Sequence, residues 1–522
     1  MSSDNGASEA RGRRTGAGLV LVLLAVLVGG WLRFTGLTRY DLWLDESCSF
    51  YATHHLLDWP DDGPDPRREL AHVPYFFLLR LWTDSVGLSP WGLRSFSAVA
   101  GTATVVLVGL VAAALGGRRV GIIAALLAAV HPLHVHYSHE ARVYALWMME
   151  ASVLPLLLVR AVRSAQPRRS WCAYGVLVWI LVLTHYYTLF LIPGSVGVLL
   201  LAVDRGRVAR QWLVTHGLLA VTLAPLVVLV VWPHALGGPG TWLADVWQAF
   251  PPILAVPRSL DVMLAAGAYP PYLGLLHAAG AVVETWFGPL GRSMVRWLPA
   301  LTVAGLLIAL AWRMRRPRPC IAPEKSEGGG ARHELRTAAF LAAMVLIFLL
   351  TAWTFSALGR PVYVVGRYDT IVWPFVVMAL ALVMESLARR SRPLSQFGLL
   401  AVPTAALLVC SLTTTLAARS VVVTENPSRR AERIADRVAP DDLIVSLSLY
   451  RWFLCYEWHR LDFHPEVISF PPWHDRQLCW DDPIAELADP EGLSHALARV
   501  TARIQQSLGR GRRVWLLAHG AP

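Results

Sequence analysis

Apolar runs long enough to cross a lipid bilayer recur along the first four-fifths of this 522-residue sequence. Composition agrees with this pattern, because 55% of the residues are hydrophobic and only 16% are charged, whereas soluble domains carry about 25% charged residues. The sequence therefore predicts an α-helical polytopic membrane protein with about eleven transmembrane helices. The runs lie at about 17–32, 92–115, 120–136, 143–160, 172–187, 189–203, 213–232, 297–312, 338–356, 370–387 and 397–417.

The net charge of +11 comes almost entirely from arginine, since Lys325 is the single lysine. The arginines lie in short segments between apolar runs and not on one basic face, so they do not indicate nucleic-acid binding. Arg11, Arg13 and Arg14 precede the first run, and the positive-inside rule therefore predicts a cytoplasmic N-terminus. An odd number of spans then puts the C-terminus outside. Arginine in place of lysine, with abundant Ala and Val, suggests a bacterial cytoplasmic (inner, plasma) membrane.

A change of composition near residue 418 predicts two domains. Residues 1–417 form the transmembrane domain, with 33–91 as its first outer loop. Residues 418–522 form a small α/β domain outside the membrane, because charged helical periodicity alternates there with short apolar, strand-like runs. The expected helices cover 427–438 and about 493–508, and the expected strands cover 443–447 and 514–517.

Two adjacent carboxylates, Asp45 and Glu46, follow directly on the first apolar run, between Trp43 and Tyr51. Carboxylates at a membrane surface are costly unless they are solvated, paired or used. One interpretation is a solvated acidic loop with a capping Asp. The other is a catalytic acid pair, since carboxylates whose pKa is perturbed by their surroundings cluster at functional sites.

Two further clusters lie in predicted outer segments. Residues 131–144 contain four histidines together with Glu140 and Arg142, and residues 360–369 contain Arg367 and Tyr368. Guanidinium groups suit phosphate, so both clusters predict anion binding. The alternatives are a zinc site for the histidines and an interfacial aromatic belt for the second cluster. His185 and Tyr186, at another outer turn, are expected to line the same cavity.

Cysteines give one structural expectation. Cys455 and Cys479 both lie in the predicted outer domain, where a disulfide is permitted, although the sequence leaves open whether they pair. Cys48 is expected to be outside and unpaired.

These motifs together resemble the bacterial GT-C glycosyltransferases, in the branch of protein O-mannosyltransferases, aminoarabinose transferases and lipid A core galacturonosyl transferases. The resemblance covers about residues 15–415, and two positions depart from it, His139 where Gln is expected and Val73 where Pro is commoner. The motifs are Trp43-x-Asp45-Glu46, His72-x-Pro74-Tyr75, Tyr137-Ser138-x-Glu140-Ala141-Arg142-x-Tyr144-Ala145-Leu146 and Arg367-Tyr368.

The resemblance implies a GT-C fold and transfer of a sugar from a polyprenyl-phosphate donor to an acceptor on the outer face, with inversion of the anomeric carbon. Asp45 is the expected base, and Glu46 is expected to orient the acceptor or serve as a second acid. No cofactor is expected, with a divalent metal as an alternative. The expected donor-phosphate residues are Arg142, Arg367, Tyr368 and His139, and the expected cavity residues are Trp43, His72, Glu140, Tyr144, His185 and Tyr186.

Two rival functions stay open at this stage. A transporter or flippase of lipid-linked sugars would need ionisable residues near the membrane midplane, where only Glu150 qualifies. An oligosaccharide ligase would share the same topology. The sequence does not identify the sugar or distinguish a protein, lipid or polysaccharide acceptor.

Overall fold

The computed structural model describes most of the chain, and everything below concerns those residues. They are 2–56, 72–164, 166–231, 241–248, 251–265, 269–315, 327–359, 361–389, 391, 393–422, 427–447, 450–472 and 489–517. The predicted acidic stretch around Asp58 to Asp65, and also Arg360 and Cys479, lie outside them.

Helices account for nearly all of the structure before residue 420. Five short 3₁₀ helices among the described residues lie between some of them, at Tyr186–Phe190, Ser195–Leu200, Pro252–Leu254, Pro271–Leu273 and Thr370–Val372. In chain order the helices are α1 Ser2–Phe34, α2 Leu44–His54, α3 Val73–Val86, α4 Pro90–Gly116, α5 Arg118–Val130, α6 Pro132–Ser138, α7 Tyr144–Ala151, α8 Leu154–Arg163, α9 Pro167–Thr184, α10 Leu191–Gly194, α11 Arg205–Leu226, α12 Thr241–Gln248, α13 Ala255–Ala265, α14 Gly274–Arg315, α15 Glu327–Ala357, α16 Trp373–Arg389 and α17 Pro393–Ser420.

Eight helical stretches among the described residues are long and apolar enough to cross a membrane, or nine if the bent pair α5–α6 is one span. The protein is therefore a multi-pass membrane protein, but the expected count of eleven is not confirmed. Two expected spans account for the difference between eleven and nine. The span 172–187 corresponds to α9, which is not among these stretches. The span 189–203 corresponds to a run of short helical turns.

Apolar side chains divide between the helix interfaces and the lipid-facing surface. Leu110 and Leu218 are exposed, whereas Val105, Val108 and Phe375 are fully buried. Such a distribution suits helices that are surrounded by hydrocarbon and packed on one side against other helices.

Small residues allow α4 and α5 to approach closely. A side chain added at Gly121 would lie 2.6 Å from both the carbonyl oxygen of Gly109 and the Cβ of Ala113. Because dispersion and close backbone approach drive helix association in lipid, these residues explain the tight α4–α5 contact that supports the outer loop above it.

The last hundred residues contain a three-stranded parallel sheet of order β2-β1-β3. The two predicted strands are present with the predicted bounds, whereas β2 and the helix between β1 and β2 were not predicted. Leu443 pairs with Glu466 on one side and with Val514 on the other. The elements are α18 Pro427–Ala435, β1 Leu443–Leu447, α19 Tyr450–Arg460, β2 Glu466–Phe470, α20 Pro490–Gly509 and β3 Val514–Leu517.

Helix α19 packs this region against α2, the helix that carries Asp45. The Phe50 ring lies 5.2 Å from that of Tyr456, and the Tyr51 ring lies 5.1 Å from that of Trp452. The aromatic pairs bury apolar area and fix the orientation of both helices. The C-terminal region therefore forms one wall of the first outer loop.

The cysteines differ from the expectation. Cys48 takes part in a disulfide whose partner lies outside the described residues, so the expectation that it is unpaired is wrong. Cys455 is a free thiol whose Sγ donates to the Ser47 carbonyl at 3.3 Å. Burial raises the pKa of this thiol to about 12. The packing of α19 on α2 turns Cys455 toward that carbonyl, so a Cys455–Cys479 bond is not formed.

The topology predicted from the arginine distribution can be tested on the full chain. We expect alkaline phosphatase fused after Pro522 to be active in bacterial cells, because the C-terminal region is predicted to lie outside, where phosphatase disulfides form. Green fluorescent protein at the same position, exported by the same route, should be dark. A dark phosphatase with a bright fluorescent fusion would contradict the topology.

Candidate active site

The start of α2 sets the position of the acid pair. The Glu46 carboxylate accepts a hydrogen bond from the Trp43 backbone N–H at 3.3 Å, which is one half of a capping box. Asp45 and Glu46 both occupy the first turn of the helix, where negative charge is favoured by the helix dipole. Successive side chains on a helix point in different directions, so the two carboxylates face different surroundings.

Glu46 faces inward and is completely buried. Arg94 of α4 binds it through two hydrogen bonds, from Nε to Oε1 at 2.7 Å and from Nη2 to Oε2 at 2.6 Å. The Ala141 backbone N–H donates to the same Oε1 at 2.8 Å. Both carboxylate oxygens are therefore occupied, which does not favour the expectation that Glu46 orients an acceptor.

Arg94 also holds the backbone that leads into α2. Its Nη1 donates to the carbonyl oxygens of Leu37 and Tyr40 at 2.6 and 2.7 Å, and its Nη2 donates to that of Asp41 at 2.9 Å. No motif selected Arg94 for this role. An arginine near the start of an apolar run is nevertheless a signal, since buried charge at membrane depth requires partners.

Asp45 faces a cavity-side cluster of guanidinium groups, with 16% of its side chain exposed. Arg367 Nη2 donates to Asp45 Oδ2 in a close charge-assisted contact, and Arg142 Nη2 lies 3.8 Å from the same oxygen. Arg142 Nη1 also donates to the Asp45 carbonyl and to Ser49 Oγ, both at 3.2 Å. The structure thus brings Asp45, Arg142 and Arg367 together.

Electrostatics keep this cluster ionised. Burial alone would raise the pKa of Asp45, but Arg367 and Arg142 outweigh it and hold that pKa below its usual value. Desolvation opposes the charge of Arg367 in the same way, yet the neighbouring Tyr144 and Asp45 raise the pKa of its guanidinium well above the ordinary value.

Aromatic rings surround the Arg367 guanidinium. It lies 5.8 Å from the centre of the Trp43 ring and 5.7 Å from that of Tyr144 and of Tyr368, and its Nε donates to the Tyr144 hydroxyl at 2.8 Å. Cations favour the faces of such rings. These rings hold the guanidinium in one plane, which suits bidentate recognition of a phosphate or carboxylate.

The turn that carries Arg367 is fixed through its backbone. Gly366 adopts a positive φ of 73°, which a side chain would strain. The Tyr137 hydroxyl donates to the Gly366 carbonyl at 2.6 Å, and the Tyr272 hydroxyl donates to the Val365 carbonyl at 2.5 Å. Two tyrosines distant in sequence therefore orient this turn.

A second group of rings extends from Tyr144 and Tyr368. The His185 ring stacks on Trp147 at 4.4 Å and lies 5.0 Å from His72 and 5.5 Å from Tyr368. His72 Nδ1 is 2.9 Å from the Thr184 carbonyl oxygen, and its ring lies 6.2 Å from Tyr186. The predicted cavity residues His72, Tyr144, His185 and Tyr186 are thus contiguous with the Arg367 cluster.

His139 and Glu140 lie elsewhere. His139 Nε2 is 2.8 Å from the Leu32 carbonyl oxygen, and burial lowers the pKa of this histidine to about 3. Glu140 pairs with His136 at 3.1 Å. A neutral histidine bonded to a backbone carbonyl does not suit the expected role of His139 in holding the donor phosphate.

Neither the zinc nor the transporter alternative gains support from the described residues. No group of three or more His, Cys, Asp or Glu side chains among them is arranged to hold a metal ion. Glu150, on which the transporter alternative depends, accepts a hydrogen bond from Thr184 at 3.2 Å. This hydrogen bond joins α7 to α9, next to the aromatic rings around His185.

Comparison with solved structures finds membrane glycosyltransferases at low identity. The oligosaccharyltransferase of Archaeoglobus fulgidus, in complex with zinc and sulfate, is 13% identical over 86% of this chain, with a TM-score of 0.48, and the chain spans 62% of its length. ArnT of Cupriavidus metallidurans, bound to undecaprenyl phosphate, is 13% identical over 87% of this chain and 86% of its own, with a TM-score of 0.40.

Comparison by sequence is more restricted. No curated protein matches the chain. The family model described as dolichyl-phosphate-mannose-protein mannosyltransferase matches residues 72–232, a stretch that includes Arg142 and Tyr144 but neither Asp45 nor Arg367. This stretch is less than a third of the chain, so the comparison shows that this part of the chain is similar to the mannosyltransferase family.

Proposed function

We propose that this protein transfers a sugar from a polyprenyl-phosphate donor to an acceptor hydroxyl at the outer face of the bacterial cytoplasmic membrane. The observation that carries the proposal is the contact of Asp45 with both Arg367 and Arg142, beside a continuous group of aromatic rings. One carboxylate and two fixed cations are the groups that a displacement with a phosphate leaving group requires.

In the proposed reaction, the donor phosphate replaces Asp45 as the partner of Arg367. Asp45 then loses its strongest cationic neighbour, so its pKa rises and it becomes a better base. The acceptor oxygen forms a bond to the anomeric carbon while Asp45 takes the hydroxyl proton. The bond from that carbon to the phosphate oxygen breaks, and the polyprenyl phosphate leaves with the electron pair. Direct displacement inverts the anomeric carbon.

Arg142 and Arg367 take different parts in this proposal. Arg367 is held on three aromatic faces and is the main phosphate ligand, since its guanidinium is the more completely oriented. Arg142 contacts Asp45 and Ser49, so it stabilises the carboxylate when Arg367 turns to the phosphate. The sugar lies against a wall of aromatic and histidine side chains, formed by Trp43, Tyr144, Tyr368, His72, His185 and Tyr186.

Glu46 is a positioning residue in this proposal. Its pair with Arg94 fixes the first turn of α2 and hence the backbone of Asp45. The sugar and the acceptor are not specified by these contacts, and no metal takes part in the proposed steps.

Asp45→Asn should abolish transfer. An amide cannot accept the proton, and loss of a general base costs at least about a hundredfold in rate. The measurement is release of radiolabelled sugar from a panel of polyprenyl-phosphate sugars by the purified full chain. Asp84→Asn, on the exposed Arg80–Asp84 pair of α3, is the matched control and should remain active. Transfer by Asp45→Asn at the control rate would refute the proposal.

The pH dependence of kcat/KM should reflect the effect of the neighbouring cations on the pKa of Asp45. Its pKa is lowered in the folded protein, so ionised Asp45 is available down to acidic pH and is lost as pH falls through that value. Arg142→Gln removes one cause of the lowering, and the acidic limb of kcat/KM should therefore move to higher pH. Arg292→Gln, whose side chain is 54% exposed in its pair with Glu284, should leave the limb in place. An unmoved limb in Arg142→Gln would mean that Asp45 is not the titrating base.

The Arg94–Glu46 pair should be strongly coupled in stability. Glu46→Gln or Arg94→Gln leaves a buried charge unpaired, which costs about 3–5 kcal/mol, whereas the double variant should cost much less than the sum. Thermal unfolding in detergent, followed by tryptophan fluorescence, measures the cycle. The exposed Arg292–Glu284 pair serves for comparison and should couple by less than about 1 kcal/mol. Additive losses at Arg94 and Glu46 would contradict the proposed clamp.

A further inference from the structure

An apolar groove lies between three membrane helices, away from Asp45. It has a volume of about 210 Å³, and its surface carries no polar atoms. A groove of this kind at the lipid-facing side of a bundle suits a hydrocarbon chain. The residues that line it include Leu24 and Val28 of α1, Leu126 and Val130 of α5, and Leu408 and Val409 of α17.

A second cavity of about 50 Å³, called the polar cavity for the arginines and histidines on its mainly apolar lining, lies between the outer ends of α1, α6 and α17. By the measure in which one water needs about 10–15 Å³, it has room for a small anionic group. Its lining includes Gly36 just after α1, His136 and His139 around the end of α6, Arg419 near the end of α17, and also Arg39.

The two cavities lie along the same two helices, α1 and α17, and together they are called the crevice below. Leu408 and Arg419 are eleven residues apart on α17, and Leu24 and Thr35 are separated equally at α1. At 1.5 Å per residue, the second cavity therefore lies about 16 Å further along both helices. This is the relation between an acyl chain and its headgroup.

The polar cavity carries positive charge. Arg419 donates to the Leu32 carbonyl at 3.2 Å and to the Thr35 carbonyl at 2.9 Å, and Arg39 is exposed above the Tyr40 ring at 5.4 Å. No carboxylate of the described residues forms an ion pair with either arginine. His139 is neutral and the two guanidinium groups repel each other, so no anion among the described residues compensates their charge at the cavity.

We propose that this crevice binds an anionic phospholipid, with an acyl chain in the groove between α1, α5 and α17 and its phosphate on Arg39 and Arg419. Charge complementarity selects the headgroup, and the adjoining apolar groove selects a lipid over a soluble phosphate. The crevice shares no lining residue with the Asp45 cluster. It is joined to that cluster through Tyr40, whose carbonyl accepts from Arg94 at 2.7 Å.

The test uses the full chain in phosphatidylcholine vesicles that contain spin-labelled phosphatidylglycerol or, separately, spin-labelled phosphatidylcholine. The measured quantity is the preference of the protein-immobilised lipid for phosphatidylglycerol. We expect the double variant Arg39→Gln/Arg419→Gln to lower this preference about tenfold, because each basic side chain near a membrane surface contributes attraction to anionic lipid. Arg296→Gln is the matched control, since Arg296 is also exposed and stacked on the next residue, Trp297, at 5.1 Å.

A second variant tests the part of the crevice that is proposed to hold the acyl chain. Val409 is exposed to lipid, so Val409→Trp fills the groove without disturbing the core and should also reduce immobilised phosphatidylglycerol. Inorganic phosphate is then added to the vesicles. If it displaces the labelled lipid from the unaltered chain and Val409→Trp has no effect, the cavity takes a soluble anion and the proposal is wrong. An unchanged preference in the double arginine variant, with normal gel-filtration behaviour, would also overturn it.

Discussion

The buried pair of Arg94 and Glu46 is the interaction on which the outer loop depends. An ion pair out of water is costly unless every donor and acceptor is occupied. Here the guanidinium serves the carboxylate and three backbone carbonyls. It therefore ties the end of the first transmembrane helix, the start of α2 and the start of α4 into one unit. This unit determines the position of Asp45.

Two adjacent carboxylates thus have opposite surroundings. Glu46 is held by fixed partners and has no accessible oxygen, whereas Asp45 is partly exposed and contacts Arg367 and Arg142. In the proposed reaction only a carboxylate with exchangeable partners is useful, because a base must change its proton affinity as substrate binds. The same helix turn supplies both properties because neighbouring side chains point about 100° apart around the axis.

Helix α2 is supported on two sides. Arg94 and Arg142 hold its first turn, and α19 covers it through aromatic contacts such as Phe50 with Tyr456. The lipid crevice proposed above ends at Tyr40, just before this helix. The proposed crevice and the C-terminal region therefore both adjoin the segment that carries Asp45.

Local pattern was sufficient for most of the long apolar helices and for the bounds of two strands. Hydropathy over about twenty residues predicted most spans, since solvation by lipid is a local property, and strand-like runs predicted β1 and β3. Motif spacing also selected Asp45, Arg142 and Arg367. Only packing decided that Arg367 meets Asp45 across 322 residues, that Arg94 binds Glu46, that His139 turns to Leu32, and that Cys48 and not Cys455 is in a disulfide. A partner distant in sequence is selected by how the helices pack, and no local pattern encodes that choice.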